Sequence, residues 1–193
     1  MATGSPPEVA AVALDLAASR QATCGEVRVI CVDGPAGSGK TTLAAELAVA
    51  TGAQVVHMDD LMKGWFGVSS TGPQLLSVLE PLAEGRPGSY QRFNWHLGRF
   101  DSEVLVPVAP LLVIEGVGSG NPVVADQVTA LVWVEVGDDL RLSRGLERDD
   151  REMELHWRRF MAAETALFAA HRTRERADVV VDGTGARPPV LRP

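Results

Sequence analysis

One stretch does most to restrict what this chain can fold into. Residues 27–32 form a β-branched apolar run that ends in Asp33 and passes directly into Gly34-Pro35-Ala36-Gly37-Ser38-Gly39-Lys40-Thr41. An alanine- and leucine-rich segment, 41–50, follows. A buried strand therefore feeds a glycine turn that opens a helix, and the turn fits GxxxxGK[ST] in full, in the context that the pattern requires. Glycines let peptide N–H groups turn inward as a nest for phosphate oxygens, and the positive end of the following helix dipole adds to that field. Gly34, Ala36, Gly37, Ser38, Gly39, Lys40, Thr41 and Thr42 are thus the expected nucleotide-binding residues. Lys40 would reach the β- and γ-phosphates of ATP and neutralise charge during transfer, and the Thr41 hydroxyl would ligate magnesium.

The rest of the chain reads as strands alternating with helices. Apolar runs at 54–58, 111–114, 130–136 and 179–181 predict further strands. Helical spacing or propensity marks 8–20, 74–83, 138–150 and 153–172, with Asp138 or Asp139 as an N-cap and Pro81 ending or distorting its helix. Residues 1–7 read as a frayed end, 64–72 as a mobile glycine- and serine-rich loop, and 85–101 as an aromatic, basic stretch without clear period. Near-continuous apolar strands between helices predict an α/β fold: a doubly wound parallel sheet of about five strands covered on both faces. The length of 193 residues favours one domain over 1–193, with 1–25 as an N-terminal helical extension.

Composition excludes some functions. A net charge of −7 does not suit a non-specific nucleic-acid binder, which needs a broad basic surface. No stretch approaches the roughly 18 apolar residues of a membrane span, and the N-terminus lacks a signal-peptide pattern, so a cytoplasmic protein without membrane contact is expected. Cys24 and Cys31 form no CxxC pair, and Cys31, inside an apolar run, is expected to be a small buried hydrophobe.

In open α/β sheets ligands bind beyond the carboxyl ends of the strands, and two strands here end in acids. Asp59 and Asp60 follow one run and Glu115 another. A carboxylate there can hold magnesium or accept a proton from an attacking hydroxyl, which makes Asp59 and Glu115 metal candidates and Asp59 the candidate base, with Asp60 beside it. Arg141, Arg144, Arg148 and Arg151 recur at helical spacing, so 138–152 reads as a lid over the triphosphate. Arg144 and Arg148 are the expected phosphoryl contacts. The plain alternative is a solvent face salt-bridged to Glu147, Asp149, Asp150 and Glu152. Trp65, Phe66, Tyr90, Phe93 and Trp95 lie among Arg92, Asn94 and His96. Flat rings beside hydrogen-bonding groups make this the candidate acceptor pocket.

With these pieces in order, the sequence resembles the uridine kinase-like branch of P-loop kinases. The carrying residues are Asp33-Gly34 through Lys40-Thr41-Thr42, His57-Met58-Asp59-Asp60-Leu61, Val113-Ile114-Glu115-Gly116, Arg141-Leu142-Ser143-Arg144 with Arg148-Asp149, and Ala177-Asp178-Val179-Val180-Val181-Asp182-Gly183. The resemblance implies a P-loop NTPase fold of the nucleoside and nucleoside monophosphate kinase type, ATP and magnesium as cofactors, and a small-molecule acceptor, and it leaves a homo-oligomer open. By motif position it makes Asp59 the base, puts Glu115 in the magnesium environment, and gives lid roles to Arg141, Arg144 and Arg148. The acceptor half departs from the family pattern. Met62 stands where a tyrosine is usual, with Trp65 close by; Gln91 and Asn94 stand where an acid is usual; and the acceptor segment is shortened between 64 and 72. The expected activity is ATP-dependent phosphorylation of a hydroxyl on a nucleoside or related small metabolite. A nucleoside monophosphate acceptor would draw on Arg86, Arg92 and Arg99, and a nucleotide-driven switch would hydrolyse ATP without any acceptor.

Overall fold

The computed structural model describes residues 4–192. Its central strand is β1 (Arg28–Asp33), hydrogen-bonded in parallel to β5 (Leu111–Glu115) on one side and β6 (Ala130–Glu135) on the other. Beyond β5 lies β2 (Gln54–His57), and beyond β6 lies β7 (Val179–Asp182), both parallel. The short β8 (Val190–Leu191) joins β7 antiparallel, giving the order β2-β5-β1-β6-β7-β8. This is the expected doubly wound sheet with one strand more. A two-residue edge strand leaves no apolar run to detect.

Side-chain alternation explains the layers. Ile30 and Val32 of β1 point to one face, where α1 (Pro6–Ser19) and α2 (Lys40–Thr51) bring Val9, Ala13, Leu43 and Leu47 against them. Val29 and Cys31 point to the other face, under Leu75, Leu79 and Leu82 of α4 (Gly72–Ala83). Each fully buried leucine or valine stabilises the fold by roughly 1.5–3 kcal/mol. Cys31 is a buried free thiol, as its apolar setting predicts, and so is Cys24. Pro81 gives no N–H to the Ser77 carbonyl, and α4 ends two residues after it, at Ala83.

The aperiodic stretch 85–101 proves to be most of a hairpin, β3 (Gly88–Asn94) with β4 (Arg99–Val106). A register shift between Arg92 and Phe93 explains the missing period: both Tyr90 and Phe93 are buried although they are three residues apart. Within 64–72, residues 68–70 wind a 3-10 turn that buries Val68. Of the frayed end expected over 1–7, residues 1–3 lie outside the described residues, while Pro6 already starts α1 behind a Ser5–Glu8 capping box.

Three α-helices lie between β6 and β7: α5 (Asp138–Asp149), α6 (Glu154–His171) and α7 (Thr173–Arg176). The N-cap of α5 is Gly137, not Asp138 or Asp139. Those acids occupy its first turn, where they favour the helix dipole instead. Among the described residues no helix is long and apolar enough to cross a membrane.

Candidate active site

The loop after β1 has the backbone its glycines predict. Gly34 sits at φ 139°, and a Cβ there would lie 2.1 Å from the Val134 carbonyl oxygen, so only glycine lets the loop pass β6. Lys40 heads α2 and is almost fully buried, its ammonium donating to the Pro35 carbonyl at 2.9 Å. Burial pulls its pKa down, against the attraction of Glu115, Asp33, Glu164 and Asp59. The Ser38 hydroxyl is buried without a partner. An unanswered donor and a lysine bonded only to its own loop carbonyl suit a site for phosphate oxygens.

The strand order brings the acids to this loop. Because β5 neighbours β1, Glu115 lies beside Thr41, whose hydroxyl is 3.3 Å from Oε2. Adjacent ligands of an octahedral magnesium at about 2.1 Å lie about 3 Å apart, so these two oxygens could hold the ion together. The other carboxylate oxygen is taken: His57, in register with Glu115 across the β2–β5 pair, places Nδ1 2.6 Å from Oε1. That contact raises the histidine pKa, against partial burial. Asp59 stands in α3 (Met58–Leu61) and faces the same space. It opens to the cavity yet is enclosed by protein on its other sides. Burial and the neighbouring Glu115 raise its pKa, while Lys40, Arg148 and His57 lower it.

Two buried acids were missed by sequence reasoning. Asp33 accepts N–H bonds from Gly34 at 2.7 Å, Gly118 at 2.9 Å and Gly120 at 2.8 Å, clamping the loop after β5 to the end of β1. Burial raises it to about 6, although those three bonds favour the anion. Glu164 of α6 is fully buried, accepts the Ala36 N–H at 2.9 Å and pairs with Arg141. Burial raises its pKa too, opposed by those partners and Lys40. A signal for Glu164 existed: it falls in the inward-facing series Trp157, Phe160, Glu164, Leu167, where an acid is out of place.

The arginine face is divided by depth. Arg141, expected in the lid, is buried between Glu164 and Asp138 and does not line the main cavity, so it supports the phosphate loop from behind. Arg144 donates to the Gly37 carbonyl at 3.1 Å and the Gly183 carbonyl at 3.4 Å. Arg148 pairs with Asp149 at 2.7 Å and lies over the Trp157 ring, 5.6 Å from its centroid. Arg151 leaves the face, because α5 ends at Asp149 and Asp150 turns the chain at φ 86°.

One cavity of about 760 Å³ joins Ala36, Gly37, Gly39, Lys40, Thr41 and Thr42 to Asp59, Glu115, Arg144 and Arg148. Beside Asp59 it is walled by Met62, Trp65, Trp95, Trp157 and Phe160, with Trp65 edge-to-face on Trp95, Trp157 and Phe160 at 5.7–6.0 Å. The Trp95 indole N–H donates to the Asp59 carbonyl at 3.1 Å. The expected acceptor set is thereby split. Asp60, Arg92, Asn94 and His96 line a separate, shallower hollow of about 490 Å³ that shares only Trp95 with the first. Tyr90 is buried with its hydroxyl 3.4 Å from Asp60. Phe66 is exposed, and Arg86, paired with Glu84, and Arg99 line neither space.

No protein-family model matches the sequence, and neither does any curated protein. Solved structures do match. A possible uridine kinase from Bacillus stearothermophilus superposes with a TM-score of 0.56 at 22% identity, covering 80% of this chain and 88% of that one. A protein assigned as a fructose transport system kinase from a Silicibacter species gives 0.60 at 17% identity, covering 86% and 94%. The chain shares the fold of these two structures. In this chain the loop after β1 and the acids after β2 and β5 meet at the carboxyl edge of the sheet.

Proposed function

We propose that the protein is an ATP-dependent kinase that transfers the γ-phosphoryl group to a hydroxyl of a small molecule, a nucleoside or a related metabolite. The observation that carries this reading is the single cavity in which the phosphate loop, Asp59 and Glu115 face one another. A switch protein has no use for an aromatic-walled end beside the transferable phosphate.

The N–H groups of the loop and Lys40 bind and orient the donor's phosphates. Thr41 and Glu115 would hold magnesium, which would supply positive charge against the phosphate oxygens, and His57 fixes the orientation of the Glu115 carboxylate. Asp59 accepts the proton of the acceptor hydroxyl as its oxygen bonds to phosphorus and the bond to the departing diphosphate breaks. Its raised pKa brings it closer to that of an effective base near neutral pH. Segment 138–152 acts as the lid: Arg144 and Arg148 exchange their present partners for the moving phosphoryl group, while Trp65, Trp95 and Trp157 exclude water.

The test is incubation with magnesium-ATP and a panel of nucleosides, nucleoside monophosphates and small alcohols, reading ADP release and product mass. Lys40→Ala and Asp59→Asn run alongside. A product phosphorylated on a hydroxyl and lost in both variants supports the reading. Phosphorylation on an existing phosphate would make the protein a monophosphate kinase, and acceptor-independent ADP release would make it a switch.

A further inference from the structure

The wall beside Asp59 is rich in aromatic rings and poor in groups that could read an uncharged acceptor. Among the described residues no serine, asparagine, glutamine, tyrosine or histidine lines the cavity. What the wall does hold is a cation. The Arg148 guanidinium lies over the Trp157 ring, 5.6 Å from its centroid, and donates to the two Asp149 oxygens at 2.7 and 2.8 Å. The Trp157 indole N–H donates to the same carboxylate at 3.1 Å, so ring and acid are fixed to each other. Trp157 is fully buried and packed on Gly145, which keeps the ring from turning away.

Arg148 can fill this place only while it is not on phosphate. Once it turns to the phosphoryl group, Asp149 keeps the Trp157 N–H as its one donor among the described residues. The Asp149 side chain is 24% exposed, so water answers its charge only in part, and a partly enclosed carboxylate without a counter-charge is costly. The place is also within electrostatic reach of the base: burial and Glu115 raise the Asp59 pKa, and Arg148 is among the charges that oppose them. A molecule with its hydroxyl at Asp59 can therefore set a positive group where the guanidinium was. We propose that the acceptor is a cationic alcohol, a small amino alcohol whose ammonium or quaternary ammonium group takes the place over Trp157 and beside Asp149 that Arg148 leaves. The inference rests on the kinase reading for the movement of Arg148. Tryptophan is the aromatic side chain that attracts cations most strongly, whereas an uncharged acceptor with several hydroxyls leaves them unanswered on this wall. The exchange also ties closure to the acceptor, because a bound cation removes the pull of Asp149 on Arg148.

Tetramethylammonium and tert-butanol, similar in size and different in charge, test the place without knowledge of the natural acceptor. Each is titrated at constant ionic strength against tryptophan fluorescence, with and without magnesium and the non-hydrolysable β,γ-imido analogue of ATP. With nucleotide present, tetramethylammonium should bind about tenfold or more tightly than tert-butanol, and tighter by a similar factor than it does without nucleotide. Asp149→Asn should lose most of that preference while still binding the nucleotide. Equal binding of the two probes, a preference that does not depend on nucleotide, or one that Asp149→Asn keeps overturns the proposal. Turnover of an uncharged acceptor with no preference for tetramethylammonium leaves the kinase reading standing and overturns this inference alone. If the wild type binds no nucleotide, the kinase reading falls and this inference with it.

Discussion

Replacing Glu164 by glutamine keeps the side chain's shape and removes its charge. The carboxylate is fully buried and answers two groups: the Ala36 N–H of the phosphate loop, at 2.9 Å, and the guanidinium of Arg141, itself 3% exposed. The other partner of Arg141 is Asp138, whose side chain is 78% exposed, so water screens most of that attraction. Removing one member of a buried pair costs about 3–5 kcal/mol; a glutamine oxygen can still accept one of the two bonds, which brings the expected loss to about 2–3 kcal/mol. At about 2–4 °C per kcal/mol for a chain of this size, Tm should fall by about 4–12 °C in scanning calorimetry. The double variant Arg141→Met, Glu164→Met should recover most of that loss, because the stranded cation and its desolvation cost both disappear. A Glu164→Gln protein melting within about 1 °C of the wild type, or a double variant no better than the single one, would refute the argument that this pair locks α5 and α6 to the phosphate loop.

Three further outcomes are expected. The folded protein holds the Asp33 proton up to about pH 6, above the ordinary carboxylate range, so the contribution of this group to stability is full at acid pH and is lost as pH rises through about 6. Denaturant titrations should therefore show the wild type losing stability relative to Asp33→Asn between about pH 4 and 6, with no further change above; a difference independent of pH would contradict this. In Gly145→Ala the new Cβ would lie 2.4 Å from the Trp157 ring, so α5 and α6 must separate, at about 1–3 kcal/mol, with a lower Tm and an altered near-ultraviolet tryptophan signal; an unchanged signal would show that the helices do not meet there. Asp59 carries a pKa raised by burial and by Glu115, so kcat should climb with pH along a limb lying above the ordinary carboxylate range. Asp59→Asn should remove that limb and lower kcat by about 10²–10⁴-fold, and a variant that keeps the same pH profile would assign the base elsewhere.

The geometry of the phosphate-loop half of the candidate site was legible because it is written in one contiguous segment. Strand, glycine turn, Lys40 and Thr41 all lie within a few residues, and each is required locally. The acids at 59 and 115 were legible one step less directly, since their meeting with Thr41 depends on β5 lying beside β1 and β2 beside β5. The acceptor side was read less well for a definite reason. The shift at Arg92 and Phe93 reverses which residues face inward along β3, so proximity in sequence to Tyr90 and Trp95 did not carry Arg92, Asn94 and His96 into the main cavity. Asn94 is occupied in the hairpin turn instead, donating to Asp101 and accepting the His96 and Leu97 N–H groups.

The arginine series shows how spacing fixes a face and leaves depth undetermined. Arg141, Arg144 and Arg148 share one side of α5, but only the first is held by a fully buried carboxylate. Arg141 is bound by a fully buried carboxylate, Arg144 by two neutral carbonyls, and Arg148 by a half-open aspartate and a tryptophan ring. Charge-assisted bonds are about twice as strong as neutral ones and weaken with exposure, so the first arginine is an anchor and the next two are the ones that can leave their partners for a phosphate. The tight packing of Gly145 on Trp157 lies between the last two, and Asp150 ends the helix in a turn just beyond them. In the proposed lid Arg141 would therefore be the buried pivot and Arg144 and Arg148 the cations that move, so a residue matching the family's lid pattern by position would serve as the hinge.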